Sequence, residues 1–355
     1  MIVRELFGVL DEKEIYKYKV VYDDIEAEFC EFGACVTSVI LKDKKGNNRD
    51  VVLGIDRLEL FPENSPAFGS VVGRYANRIK HAKFEFNGKE YQLQKNEGDT
   101  CLHSGDSYHY RKWNSECYED REGAHIIFSL FSPDNDQGFP GNLNISVEYI
   151  VTEEKELVIH YTYDTDKDTC VNLTNHSYFN LNGHDSGNAM EHKVMIAADG
   201  VTQVDDKLLP TGKILDVTGS AFDFRKPTVI KENYDKTFVP YCTGDDFDIN
   251  YVLNDYDGTL RHVAYVEGDK SGIRMDVYTD LPGLQFYTAN ALEEFEGKDN
   301  VFYTYNHAFC METQYFPDSV NIRQFPSPFI QAGELKSTTT KYSFSVAPKK
   351  RRKFK

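Results

Sequence analysis

The stretch Asn172-Leu-Thr-Asn-His-Ser-Tyr-Phe-Asn-Leu181 alternates in a way that is typical of a β-strand. Most of its apolar side chains share one parity of a period-two pattern, so one face can pack against a sheet. The other parity carries amides, a hydroxyl, a phenol and the imidazole of His176. These groups can hydrogen-bond a polyhydroxylated ligand and move a proton on it. A lone histidine in a strand usually faces water, but this polar company favours a binding site around His176.

Period-two alternation recurs along the rest of the chain. The clearest example is Lys83–Leu93, where Asn87-Gly88 supplies the positive φ angles of a type I′ turn and predicts a β-hairpin. Longer alternating segments at 143–151 and 157–163 predict long antiparallel strands. Helical periodicity is weak, and Pro, Gly, Asn and Asp mark frequent turns. The sequence therefore predicts an all-β fold, one large antiparallel β-sandwich with few short helices.

The 355 residues contain no linker, no low-complexity region and no repeat of fixed period. All-β folds commonly run this long as one unit. We therefore expect a single domain over residues 1–347, followed by a basic C-terminal tail at 348–355. Such a tail can act as a localisation or polyanion-binding signal, but most termini of this kind are disordered, solubilising ends.

Charge and cysteine content narrow the class of partner. Asp and Glu outnumber Lys and Arg by 57 to 40, a formal charge of −17, which disfavours nucleic acid and favours an uncharged or cationic small molecule. The seven cysteines are scattered without a Cys-x-x-Cys pair, which indicates reduced thiols. The N-terminal residues lack the pattern of a signal peptide, and no apolar run is long enough to span a bilayer. These features predict a cytoplasmic protein with no membrane partner.

Two groups, His176 and Glu312, each stand in mid-strand on the face opposite bulky apolar neighbours. Such residues usually just face water. What changes this interpretation is a set of motifs in which both groups take part. In chain order the set comprises Gly73-Arg-Tyr-Ala-Asn-Arg-Ile79, Leu102-His103, Ser132-Pro-Asp-Asn-Asp-Gln-Gly-Phe-Pro-Gly-Asn-Leu143, the stretch 172–181, Asp223-Phe-Arg225, Phe247-Asp-Ile-Asn-Tyr251, Pro282-Gly-Leu-Gln-Phe-Tyr-Thr-Ala-Asn290 and Glu312-Thr-Gln-Tyr-Phe-Pro-Asp318.

With these motifs the sequence resembles the aldose 1-epimerases, also called galactose mutarotases. Each motif is weak alone, but in this order and spacing the set is highly specific, and it covers nearly the whole chain. The resemblance implies a galactose mutarotase-like supersandwich that holds the sugar in a cleft. It also implies a reaction that interconverts the α and β anomers of free hexoses such as galactose and glucose.

The resemblance further implies a role for each of the two groups. Glu312 is expected to be the general base that takes the proton of the anomeric hydroxyl, and His176 the general acid that protonates the ring oxygen. The ring then opens to the aldehyde, rotates about C1–C2 and closes on the other face. One base and one acid suffice for this exchange of two protons, so neither a cofactor nor a metal is expected. A carboxylate near His176, such as Asp248, would favour its protonated form.

Five further residues align with sugar-binding positions of that family: Asn77, Arg78, His103, Asp248 and Gln285. His103 is also expected to assist catalysis at the ring oxygen. Without the resemblance Asn77 and His103 would pass as turn or loop residues, Arg78 as part of a surface ion pair, and Asp248 and Gln285 as solvent-facing side chains.

The sequence departs from the family pattern at three positions. Ser104 and Ala289 stand where glycine is usual, and Ile249 stands where a histidine commonly follows the aspartate. These departures leave the acid and base untouched, but they leave the preferred aldose open.

Other functions fit less well. A glycoside hydrolase built on Asp248 and Glu312 leaves His176 without a role. A metal site of His103, His176, Asp248 and Glu312 lacks any metal-binding spacing. A sugar-phosphate epimerase should offer several basic groups, and only Arg78 is among the matched positions. The alternative of another class is a non-catalytic sugar-binding or sensor protein on the same fold, which would not need both His176 and Glu312. We expect a free aldose as the ligand and a monomer or weak homodimer as the assembly.

Overall fold

The structure is a computed structural model that describes residues 1–233 and 247–346. The basic tail predicted at 348–355 lies outside the described residues. Regular structure in the described ranges consists of β-strands and short 3₁₀ helices, and none of its helices is long and apolar enough to cross a membrane. The prediction of an all-β fold with few short helices is confirmed.

The strands in chain order are β1 (Ile2–Leu10), β2 (Lys13–Val21), β3 (Ile25–Cys30), β4 (Cys35–Lys42), β5 (Asn48–Asp50), β6 (Val71–Val72), β7 (Arg78–Ile79), β8 (Lys83–Phe86), β9 (Lys89–Gln92), β10 (Cys101–Leu102), β11 (Asn114–Glu119), β12 (Ala124–Ser132), β13 (Leu143–Val151), β14 (Glu156–Thr165), β15 (Thr169–Cys170), β16 (Thr174–Asn175), β17 (Tyr178–Phe179), β18 (Lys193–Ile196), β19 (Gly200–Val204), β20 (Pro210–Asp216), β21 (Thr228–Val229), β22 (Asp248–Val252), β23 (Arg261–Glu267), β24 (Ile273–Thr279), β25 (Gly283–Tyr287), β26 (Phe295–Glu296), β27 (Phe302–Tyr303), β28 (Phe309–Gln314), β29 (Phe329–Ile330) and β30 (Leu335–Val346). The 3₁₀ helices are Leu58–Glu63, Lys80–Ala82, Tyr108–Tyr110, Asp136–Gly138, Ile230–Asn233 and Lys298–Asn300.

Three large antiparallel sheets dominate the described part of the chain. Nine strands run in the order β11-β12-β13-β14-β30-β24-β23-β18-β21, six in the order β17-β28-β25-β22-β19-β20, and five in the order β1-β2-β3-β4-β5. Apolar side chains from all three sheets meet in one buried core, which includes Val39, Ile159, Met275 and Phe286. Sheets that bury one face against each other in this way form a sandwich, as the alternating pattern predicted.

The six-stranded sheet carries three of the predicted site residues, Asp248, Gln285 and Glu312. In β28, Phe309 and Met311 enter the main core, whereas Cys310 and Glu312 have the opposite parity. Successive side chains of a strand point to opposite faces, so Glu312 is presented on the face away from that core. The register places Gln285 of β25 directly beside Glu312.

The stretch 172–181 differs from its prediction, because it is not one continuous strand. Its residues form the short strands β16, which pairs with β6, and β17, which pairs with β28, and His176 lies between them. Amide side chains replace a regular ladder here: Asn175 Nδ2 donates to the Gly69 carbonyl at 2.7 Å, and Asn172 Nδ2 to the Tyr315 carbonyl at 3.2 Å. Polar residues of both parities are therefore buried, which local alternation does not reveal.

Other local predictions hold. Strands β8 and β9 form the expected hairpin, with φ of 51° at Asn87 and 73° at Gly88 in its turn. The segments 143–151 and 157–163 fall within β13 and β14, which pair antiparallel along their whole length.

Candidate active site

The residues predicted to form a site come together in one cleft of about 420 Å³. Such a volume suits a small ligand. All seven predicted residues line it: Asn77, Arg78, His103, His176, Asp248, Gln285 and Glu312. Their sequence positions are far apart, so the sheet topology and the loops after β6 and β10 are what unite them.

The buried pair of His176 and Glu312 lies at the centre of the arrangement. Nε2 of His176 is 3.7 Å from Oε1 of Glu312, and their side chains are only 7% and 3% exposed. Glu312 is held by the β25–β28 ladder, and His176 is held by the backbone hydrogen bond from its amide to the Ser70 carbonyl at 2.9 Å. An imidazole and a carboxyl group so placed can exchange protons with one bound molecule.

Burial sets the protonation of this pair. It raises the pKa of Glu312 well above its usual range, and the negative charge of Asp248 raises it further, against the opposing effect of Arg78. Burial also lowers the pKa of His176 to about 4, although Asp248 acts in the other direction. Asp248 thus favours the imidazolium, as expected, but desolvation outweighs it. These shifts favour a neutral imidazole and a proton on Glu312.

The thiol of Cys310 orients the imidazole. Its Sγ lies 3.6 Å from Nδ1 of His176, and burial raises the pKa of the thiol well above its usual range. A protonated thiol can donate to Nδ1 of the neutral ring, and in that arrangement the ring proton is on Nε2, the atom that faces Glu312. The ring of Tyr178 also stacks on His176, with centroids 4.9 Å apart.

A chain of charged and amide groups forms the wall next to Glu312. Arg78 donates to both carboxylate oxygens of Glu97 at 2.8 Å, and its Nη1 lies 3.5 Å from Oδ2 of Asp248. Nε2 of Gln285 donates to Oδ1 of Asp248 at 2.6 Å. Each group is fixed by its neighbour, and such preorganised polar groups suit the binding of sugar hydroxyls.

His103 and Asn77 form a third element of the cleft. The backbone amide of Asn77 donates to Nδ1 of His103 at 3.1 Å, and both residues have positive φ, 65° and 52°. Burial and the nearby His176 lower the pKa of His103 well below its usual value, so its ring is neutral. Because Nδ1 accepts a hydrogen bond, the proton of the neutral ring is on Nε2. His103 is thereby a donor whose ring lies 5.5 Å from that of His176.

Several lining residues were not among the seven predicted site residues: Glu97, His109, Tyr178, Tyr287 and the segment 291–295. Tyr178 and Tyr287 belong to motifs that carried the resemblance, so a signal for them existed. Glu97 and His109 have none, because only the fold brings them to the cleft.

One group of potential metal ligands overlaps the site. Ligand atoms of His176, Cys310 and Glu312 lie within 4.8 Å of one another. However, His176 presents Nδ1 to Cys310 and Nε2 to Glu312, which are on different edges of the ring. A metal ion binds one nitrogen of an imidazole, so it could use only one of these two short contacts of His176. This donor set therefore fits proton exchange better than metal binding.

A β-sandwich whose cleft brings a buried histidine and a buried glutamate together with further polar side chains has the composition of a site for a small polyhydroxylated molecule. Comparison with known proteins makes the class specific. The sequence profile of the family described as aldose 1-epimerase matches residues 17–343. Galactose mutarotase of Bos taurus is 39% identical over 350 residues, covering 98% of this chain and 99% of its own. Aldose 1-epimerase of Escherichia coli K12 is 32% identical, covering 88% and 90%.

Two solved structures that resemble this one are also of epimerases or their homologues. An aldose epimerase homologue from C. elegans is 31% identical, with a TM-score of 0.85, covering 93% of this chain and 98% of its own. Galactose 1-epimerase from Lactobacillus acidophilus shares the fold, with a TM-score of 0.86 at 24% identity over 98% of this chain and 99% of its own. The chain belongs to the aldose 1-epimerase family, and it is an enzyme of the isomerase class.

The structure shows where the three residues that depart from the family pattern lie. Ile249 is 2% exposed and belongs to the main core, on the other parity of β22 from Asp248, so it does not line the cleft. Ser104 and Ala289 have φ of 64° and 53°, the left-handed region in which glycine is least strained. These residues therefore hold a backbone conformation that favours glycine, at some cost in strain.

Proposed function

We propose that this chain interconverts the α and β anomers of free aldoses, with galactose and glucose as the first substrates to test. The observation that carries the proposal is the buried pair of His176 and Glu312, 3.7 Å apart at the centre of the cleft. Among the described residues, Oε2 of Glu312 has no hydrogen-bond partner although it is buried. A buried carboxyl oxygen left open in a polar cleft suits a ligand hydroxyl as its partner.

The reaction follows from the positions of these two groups. Glu312 takes the proton of the anomeric hydroxyl while His176 gives a proton to the ring oxygen, and the bond between C1 and the ring oxygen breaks. Rotation about C1–C2 turns the aldehyde, and the reverse transfers close the ring on its other face. Each group contributes about 10²–10⁴-fold. Burial favours the form of the pair in which the proton is on Glu312 and the imidazole is neutral. The proposed reaction starts from the less favoured form, in which that proton is on His176 and Glu312 is ionised.

The remaining predicted residues bind and orient the sugar in this proposal. Arg78, Asp248 and Gln285 offer donors and acceptors next to Glu312, and His103 donates from beside His176, where it can also assist at the ring oxygen. Asn77 positions His103 through its backbone amide.

The charge of the cleft supports a neutral substrate. Four acidic residues besides Glu312 line it: Glu97, Asp248, Glu293 and Glu294. Arg78 is already engaged by two of them, and a phosphate group would have to compete with these carboxylates. We therefore propose a free aldose rather than a sugar phosphate. The non-catalytic sugar sensor is not favoured by the relatives, which are named as mutarotases and epimerases.

We also propose that the chain acts in the cytoplasm, as a monomer or weak homodimer, and that residues 1–347 form one domain with a solubilising basic tail at 348–355. Sedimentation at working concentration tests the assembly.

Polarimetry of freshly dissolved α-D-galactose tests the activity. Wild-type protein should speed the optical drift well above the buffer rate, and Glu312→Gln and His176→Asn variants of confirmed fold should lose most of that gain. If folded wild-type protein leaves galactose, glucose and xylose at the buffer rate, the proposal is wrong, and binding of those sugars would then favour a sensor.

A further inference from the structure

A third imidazole borders the cleft and has no part in the mechanism above. His109 lies on the short helix Tyr108–Tyr110, lines the cleft and is only 5% exposed. Within the ranges that the structure describes, neither its Nδ1 nor its Nε2 has a hydrogen-bond partner. Buried polar atoms nearly always have one, so two open ring nitrogens on the wall of a cleft indicate a ligand.

The backbone around His109 is firmly held. The amide of Tyr108 donates to the Gly73 carbonyl at 3.3 Å, and the indole Nε1 of Trp113 donates to the Tyr108 carbonyl at 3.2 Å. The ring of Tyr110 lies 3.8 Å from the imidazole of His109. A side chain fixed in this way loses little freedom on binding, so its hydrogen bonds favour affinity.

The position of His109 along the cleft follows from its neighbours. Burial and the nearby His176 together lower its pKa to about 3, and His109 in turn lowers the pKa of His103. The helix of His109 packs against β6, and β6 pairs with β16, the strand that leads into His176. On its other side β16 packs against β28, the strand of Glu312, where Oγ1 of Thr174 donates to the Thr313 carbonyl at 3.0 Å. His109 is therefore on the side of His176 that is remote from Glu312.

This arrangement identifies the part of the sugar that His109 meets, and the step rests on the function proposed above. With the anomeric hydroxyl at Glu312 and the ring oxygen at His176, the other carbon bonded to the ring oxygen, C5, points away from Glu312. In an aldohexopyranose C5 carries the exocyclic hydroxymethyl group. A neutral imidazole offers one donor and one acceptor, which is what a hydroxyl needs.

We propose that His109 binds the exocyclic C6 hydroxyl and makes the enzyme prefer aldohexoses over pentopyranoses and 6-deoxyhexoses. No other step of the mechanism depends on this contact. The contact tunes specificity, because it is made by the substrate as well as by the transition state.

Three matched sugars test the proposal: D-galactose, D-fucose, which lacks only the C6 hydroxyl, and L-arabinose, which lacks the whole hydroxymethyl group. We would measure kcat/KM by polarimetry and the equilibrium Kd by calorimetry for the wild type, His109→Phe and His109→Gln. His109→Phe keeps a ring without polar atoms, whereas His109→Gln keeps a donor and an acceptor. His307→Phe is the control, because its Nδ1 is also buried without a partner among the described residues but lies outside the cleft.

The wild type should prefer D-galactose over D-fucose by about 3- to 10-fold in kcat/KM and in Kd, the size of one neutral hydrogen bond. His109→Phe should bring this ratio close to one with little change for L-arabinose, and His109→Gln should keep part of it. An equal loss for all three sugars, or an unchanged ratio in His109→Phe, overturns the proposal. Because Kd is measured without turnover, a C6 preference that depends on His109 in an inactive wild type would support this inference while refuting the proposed activity.

Discussion

Nε2 of His176 and Oε1 of Glu312 lie 3.7 Å apart, and the burial of both groups works against the ion pair that they would form. The pair therefore binds one proton as a unit, and its titration belongs to both groups together. A site of this kind is costly for folding and useful for proton transfer, because little solvent has to reorganise around it.

Removing both members of the pair should cost little more than removing one. We expect Glu312→Gln and His176→Asn each to lower kcat by about 10²–10⁴-fold, because either change ends the paired transfer. The double variant should fall at most about tenfold below the slower single variant, since groups that act as a unit are not additive. Initial rates of galactose mutarotation measure this. If the loss of kcat in the double variant instead equals the product of the two single losses, the two groups act independently.

The pH profile of kcat/KM should be bell-shaped, because the reactive pair holds one proton. A second proton is bound as pH falls and the last is lost as pH rises, and both changes stop the reaction. The charge of Asp248 raises the pKa of both Glu312 and His176. Asp248→Asn should therefore move both limbs to lower pH, whatever its effect on binding. Limbs that stay in place or move to higher pH would contradict this electrostatic account.

Glu312→Gln should stabilise the protein at high pH. The pKa of Glu312 is raised in the folded state, so its favourable contribution is complete below the pKa of the unfolded chain and is lost as pH rises through the folded pKa. Glutamine is uncharged at every pH and resembles the protonated acid. At about pH 9 we expect a gain of about 1–3 kcal/mol, or about 1–4 °C in Tm for a chain of this length, which shrinks towards about pH 5. Calorimetry at the two pH values measures it, and a lower Tm for the variant at high pH would show that the carboxylate is well paired.

Much of the fold could be predicted from the sequence because the signals are local. Alternation predicted β13 and β14, and Asn87-Gly88 predicted the hairpin between β8 and β9. The pairing of β14 with β30 and of β17 with β28 joins distant segments and has no local signal. The stretch 172–181 was wrongly predicted as one strand, because its amides bond to the backbone of other segments.

The residues of the site likewise fall into those that have a local signal in the sequence and those that do not. His176 and Glu312 were found as mid-strand polar residues within recognisable motifs, and the cleft brings them together with every predicted binder. Glu97 and His109 reach the cleft only through tertiary packing, so nothing near them in the sequence identified them. The low pKa of His176 is likewise a property of burial, which the sequence alone did not show to outweigh Asp248.

Glu97 should matter for binding and hardly for chemistry. Its carboxylate receives two hydrogen bonds from Arg78 and so fixes the guanidinium next to Asp248. Because its side chain is 38% exposed, solvent weakens the pair, and we expect Glu97→Gln to raise KM about 2- to 5-fold with kcat nearly unchanged. Glu90→Gln is the control, since Glu90 pairs with Lys83 at 2.7 Å outside the cleft. A large fall in kcat for Glu97→Gln would instead place Glu97 in the chemical step.

Ser104 should be more favourable than the glycine that is usual at its position. Its φ of 64° costs a residue with a side chain about 1–2 kcal/mol, of which glycine recovers only part because it loses more entropy on folding. The Ser104 hydroxyl compensates, because it accepts from the Tyr75 amide at 2.8 Å and donates to the Tyr75 carbonyl at 3.0 Å, each worth about 0.5–1.5 kcal/mol. We therefore expect Ser104→Gly to lose about 1 kcal/mol and Ser104→Ala, which keeps the strain without the hydrogen bonds, about 2 kcal/mol. Urea unfolding of the three proteins measures the order, and a Ser104→Gly variant more stable than the wild type would show that strain outweighs the hydrogen bonds at this turn.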